Sequence, residues 1–85
     1  MEVIVRDLAK RKIRKLVKRY PDISKLLDET LGLYFSDPRN PKLRLHKLTG
    51  GERWSVSIKR DLRLVFIYWN NCIAVVDIGS HDEVY

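Results

Sequence analysis

The sequence predicts an α+β fold in a single domain, residues 1–85: an N-terminal strand, an antiparallel hairpin of two helices, then a three-stranded antiparallel meander (β-α-α-β-β-β). Three observations carry that expectation. Apolar residues recur at helical spacing over residues 8–34, and from Arg53 onward the period changes to two. A chain of 85 residues that is 45% hydrophobic and 33% charged has room for one core and is too apolar for disorder.

The opening "EVIV" is short and β-branched, which predicts a strand over residues 2–5 followed by Asp7 as a helix cap. Leu8, Ala9, Ile13, Leu16, Val17 and Tyr20 form one stripe of a helix that Pro21 ends. Asp22 is placed to cap a second helix with Ile23, Leu26, Leu27, Leu31 and Tyr34 along its apolar side. The segment "SDPRNPKLRLHKLTGGE" has two prolines, a Gly-Gly pair and no clean period. It predicts a long loop with Leu43, Leu45 and Leu48 turned inward.

The meander follows from alternation. Trp54, Val56 and Ile58 share one face of the first strand, and Leu64, Phe66 and Tyr68 share one face of the second. A three-residue loop, Arg60-Asp61-Leu62, keeps those two faces together and sets Lys59 opposite Arg63. "LRLVFIYW" is apolar on both faces, as a central strand should be. Asn70-Asn71 makes a two-residue turn, because asparagine tolerates positive φ, and it sends "CIAVVDI" back with Ile78 opposite Arg63.

That register draws a site. His81 is three residues past Ile78, so it emerges beside Lys59 and Arg63, and three groups suited to a phosphate converge at one end of the sheet. Tyr85 could stack its ring on a base.

Charge points the same way. Seventeen Lys and Arg against eleven Asp and Glu give +6, and seven of the ten residues from Lys10 to Arg19 are basic. Lys10, Arg11, Arg14, Lys15 and Lys18 therefore form a surface for a polyanion: nucleic acid, an anionic membrane or an acidic protein segment. The alternative is a solvated basic face without a specific ligand. Cys72 has no second thiol to pair with, which suits a reducing compartment. The longest apolar run, residues 64–69, is far below the ~20 residues of a membrane span. Nothing at the N-terminus has the order of a signal peptide, so a cytoplasmic location is expected. No Cys, His or carboxylate cluster has metal-ligand spacing, so neither metal nor cofactor is expected.

With "HKLTG" before the meander, "RLVF" opening the central strand and "GSHDEVY" at the end, the chain resembles the RelE/ParE superfamily of toxin-antitoxin toxins, particularly the RelE and YafQ-like ribonuclease branch. The resemblance implies a RelE-like fold and ribosome-dependent cleavage of messenger RNA in the decoding site. It also implies a cognate antitoxin as partner to a toxin that is monomeric outside that complex. By the same resemblance Arg63 faces the scissile phosphate, and His81 and Tyr85 occupy the family's His/Arg and Tyr/Phe positions. His46 falls on the histidine of "H-x-L-x-G", and Lys59 falls in the region of an active-site Lys or His. Two patterns are mixed, since the YafQ-like branch has aspartate at the position of Arg63 and the RelE-like branch lacks the upstream histidine. The ParE branch, which acts on DNA gyrase, shares the fold, so a gyrase inhibitor stays open, as does a non-catalytic RNA-binding module.

The implied chemistry needs little apparatus. A 2′-hydroxyl attacks the adjacent phosphate when a base removes its proton, an acid protonates the leaving 5′-oxygen, and cations hold the phosphoryl charge. Arg63 and Lys59 suit the charge, His81 the acid and His46 the base.

Overall fold

The computed structural model describes residues 2–84. Its elements run in the order β1 (Glu2–Val5), α1 (Asp7–Arg19), α2 (Ile23–Ser36), β2 (His46–Lys47), β3 (Trp54–Lys59), β4 (Leu62–Trp69), β5 (Cys72–Gly79) and α3 (His81–Val84), with a 3-10 turn at Pro41–Leu43. The sheet has five strands in the order β1-β5-β4-β3-β2. β4 is central, as its two apolar faces require. β1 adds itself parallel to β5, and all other pairs are antiparallel.

One face of the sheet is covered. Val56 and Ile58 of β3, Leu62, Leu64 and Phe66 of β4, and Ile73, Val75 and Ile78 of β5 form a single core with Ala9 of α1, Ile23 and Tyr34 of α2, and Leu43. Ile13, Leu16, Val17, Leu26, Leu27 and Leu31 pack against it from the two helical stripes. Phe66 is 1% exposed, and truncating so buried a ring costs about 3–5 kcal/mol.

Four local details differ from the sequence reading. The cap position of α1 is Arg6, and Asp7 is instead the first helical residue, where its charge suits the positive end of the helix dipole. Asp22 does hold the cap position of α2 but makes no side-chain cap bond. The segment before β3 is not all loop: its 3-10 turn buries Leu43, and His46 and Lys47 pair with Ser55 and Trp54 to cover the edge of β3.

The fourth is register. Asn70 and Asn71 both have positive φ and form the expected turn, but two β-bulges slide the strands around it. The β3–β4 turn is the two-residue Arg60-Asp61, with Lys59 opposite Leu62 and Asp61 in the left-handed region. A two-residue turn alone would mix the faces. Ile58 bulges out as the extra residue, so Ser57 meets Arg63 and Val56 meets Leu64, and the apolar face is preserved. Lys59 and Arg63 are therefore not opposite one another. Val76 is the second extra residue, and it places Arg63 opposite Gly79 and Ile78 opposite Leu64. That switch of parity lets Ile78 join Ile73 and Val75 in the core while Asp77 pairs with Lys12.

Candidate functional site

The other face of the sheet carries the candidate site. Cross-strand partners share a face, so His46 with Ser55 and Val65, and Ser57 with Arg63 and Gly79, form two adjacent rows on the side away from the helical core. The rows pass through Ser55 and Ser57, two residues apart along β3, and β2 and β4 are two strand spacings apart. The Cα atoms of His46 and Arg63 are then roughly 12 Å from each other by standard strand spacings, a gap that two long side chains can close on one phosphate.

The short helix α3 folds onto this same face. A Cβ at Gly79 would lie 3.2 Å from Glu83 Cβ and 3.3 Å from Val84 Cγ1, so α3 rests where a side chain opposite Arg63 would otherwise point. Its first turn is clamped by a reciprocal capping box: the Ser80 N–H donates to Glu83 Oε1 (2.9 Å) and the Glu83 N–H donates to Ser80 Oγ (3.3 Å). The Ser80 amide bond holds the Glu83 carboxyl below the usual carboxylate range. "S-x-x-E" is a readable signal for this cap, and it was not used in the sequence reading. His81 is thereby fixed at the start of α3, 56% exposed, with Nδ1 3.6 Å from Asp82 Oδ1.

Beside Arg63 lies a cleft of about 690 Å³ lined by Lys42, Arg44, Ser57, Ile58, Lys59, Arg60, Asp61 and Arg63. Five of its eight residues are cationic, against one carboxylate, so its charge is complementary to a polyanion. Lys42 and Arg44 are additions to the site. Arg44 follows the 3-10 turn in the left-handed region (φ 47°), and Asn40 caps that turn by accepting from the Lys42 N–H (3.0 Å), so local backbone chemistry presents both cations. A second cavity of about 450 Å³ is lined by His46, Lys47, Leu48, Thr49, Arg53 and Val84. Val84 brings α3 to its wall, so this cavity joins His46 and the helix of His81 on one face.

The sequence-expected residues thus divide. Arg63 and Lys59 line one cleft; His46 lines the neighbouring cavity; His81 stands at the head of the helix between β4, β5 and that cavity. Tyr85 lies outside the described residues. Lys10, Arg11, Arg14, Lys15 and Lys18 are all exposed on α1, whereas Lys12 is half-buried and donates to Asp77 at 2.7 Å. Among the described residues no group of three His, Cys, Asp or Glu could hold a metal, and no helix is long and apolar enough to cross a membrane.

No protein-family model matches the chain, and no curated protein sequence matches it. Solved structures do. A metal-bound toxin from Helicobacter pylori is 30% identical with a TM-score of 0.85, over 100% of this chain and 99% of that one. The DinJ-YafQ toxin-antitoxin complex of E. coli matches at 15% identity and TM-score 0.82, over 99% and 96%. A YoeB/ParE toxin from Agrobacterium tumefaciens matches at 13% and 0.78, over 95% and 99%. At their low identities the latter two speak for the fold alone.

Proposed function

Because this chain belongs to the RelE/ParE superfamily of toxins, we propose that it is the toxin of a toxin-antitoxin pair and acts as a ribosome-dependent endoribonuclease on messenger RNA. The observation that carries this reading is a cleft lined by five cations, Arg63 among them, next to the sheet face on which His46 lies and onto which the helix of His81 folds. A gyrase-directed or purely structural protein has no need of that convergence.

In the proposed reaction the scissile phosphate sits against Arg63, with Lys59, Lys42 and Arg44 adding positive charge around it. His46 takes the proton from the 2′-hydroxyl. The new O2′–P bond forms as the P–O5′ bond breaks, and His81 protonates the departing 5′-oxygen. The products are a 2′,3′-cyclic phosphate and a free 5′-hydroxyl. Tyr85 has the role of stacking its ring on a base.

The exposed cations of α1 then grip ribosomal RNA phosphates without sequence preference, and the ribosome supplies the alignment that a domain of 85 residues has little surface to provide. The partner that silences the toxin is a cognate antitoxin, and an acidic segment is the chemistry that fits so basic a protein. The test is to translate a defined message with and without the protein, map cut sites and end groups, and run a gyrase supercoiling assay alongside. Cuts in the decoding site with cyclic or 3′-phosphate ends are expected. Intact message with inhibited supercoiling would overturn the proposal.

A further inference from the structure

We infer that Tyr20 is a positioning residue for Lys59, its ring forming the seat that holds the ammonium group at the mouth of the basic cleft. The inference deepens the RNA-cleaving reading and rests on it. Its starting point is the bulge at Ile58, which turns Lys59 away from Arg63 and sets it opposite Leu62. A lysine turned out of a sheet at a hairpin end normally waves in solvent. Lys59 does not: its Nζ lies 5.3 Å from the centroid of the Tyr20 ring, within the range of a cation–π contact.

Tyr20 is built as an anchor. It follows the last residue of α1, its N–H donates to the Leu16 carbonyl (2.7 Å), and its own carbonyl accepts from the Ile23 N–H (3.0 Å). Pro21 restricts its backbone further. Yet Tyr20 is 43% exposed and is not among the core residues, so core packing does not explain it. Arg19 stands over the same ring, with Cζ 5.5 Å from the centroid. One aromatic ring thus joins the basic end of α1 to the cationic cleft.

An aromatic seat suits a phosphate-binding lysine for a simple electrostatic reason. A carboxylate would hold the ammonium but neutralise it and compete with the incoming phosphate. A ring face restrains the side chain and leaves its full charge available. Asp61 is only two residues away in sequence, but Lys59 is in none of the ion pairs of the described residues. Restraint before substrate arrives is what makes a cation effective in the transition state.

The experiment compares Tyr20→Leu and Tyr20→Phe, each alone and with Lys59→Gln, in single-turnover cleavage on preformed ribosome complexes. NMR of the Lys59 side chain is recorded in parallel. Tyr20→Leu is expected to slow cleavage by about three- to tenfold and to remove the ring-current shift of the Lys59 ε-protons. Tyr20→Phe restores both, and neither change adds to the defect of Lys59→Gln. Wild-type rates in Tyr20→Leu, or a full further loss from it in the Lys59→Gln background, would overturn the inference. An Arg63→Ala control separates the two readings. If Arg63→Ala is inactive and Tyr20→Leu is not, only the seat is wrong; if nothing cuts, the nuclease reading fails, and the Lys59 shift still decides the seat.

Discussion

Replacing Gly79 by alanine tests whether α3 truly lies on the sheet. The added methyl would meet Glu83 Cβ at 3.2 Å and Val84 Cγ1 at 3.3 Å, short of the ~3.5–4.0 Å of a comfortable carbon contact, with Glu83 Oε1 also at 3.2 Å. All three atoms belong to α3. Overpacking of this kind costs about 1–3 kcal/mol, and the stiffer unfolded chain of an alanine variant returns roughly 0.4–1 kcal/mol. A net loss of about 1–2 kcal/mol lowers Tm by roughly 5–15 °C in a domain of this size. The strain falls on Glu83 and Val84, so it is expected to lift α3, weaken the Ser80–Glu83 box and displace His81. Cleavage should then fall by about tenfold or more, beyond what the loss of folded protein explains. Thermal melting, amide exchange at Glu83 and the His81 imidazole signals measure the parts separately. An unchanged or higher Tm with unmoved His81 signals would refute the placement of α3 over Gly79.

Three further outcomes are expected. His81→Ala and Arg63→Ala should each slow single-turnover cleavage by ~10²-fold or more, with Tm nearly unchanged for the exposed His81; near wild-type cutting by both would sink the ribonuclease assignment. Changing Lys10, Arg14 and Lys18 together to Gln should weaken ribosome association and flatten its salt dependence without unfolding the protein, as read by pelleting at several salt concentrations. Burial, then the hydrogen bond to Tyr68, pushes the Tyr34 hydroxyl far above its ordinary value of 10.0. The folded state therefore keeps this proton when the unfolded chain has lost it, so the stabilisation is complete below about pH 10 and disappears as pH rises beyond it. Urea melts across that range should show the decline, and Tyr34→Phe should flatten it.

The order of elements was legible because each rests on local chemistry: β-branched "EVIV", two helical stripes divided by Pro21-Asp22, alternation after Arg53, and paired asparagines at a turn. The bulges were not. Ile58 and Val76 look like any other strand residue, and whether one bulges depends on the registers of both neighbouring strands at once. Two bulges therefore moved the partner of Arg63 from Lys59 and Ile78 to Ser57 and Gly79 and shifted Lys59 and Ile78 to the other face, although the apolar faces of β3 and β4 were right. β2 escaped because two residues carry no period, and its only support is the edge of β3. Arg63, His81 and His46 are expected from residue type, motif and position, whereas Lys42 and Arg44 join the cleft only through the folding of a loop without a pattern.

The parallel pairing of β1 with β5 has a consequence for how the protein comes into being. Each of its four register pairs, Glu2 with Cys72 through Val5 with Val75, links residues 70 positions apart. Hairpins β3–β4 and β4–β5 close over two-residue turns and can form as soon as they are made. β1 must instead wait for β5, at a chain-closure entropy that slows folding. Completion of the sheet is thus a late event in folding, set by a pairing that the two local hairpins cannot make by themselves.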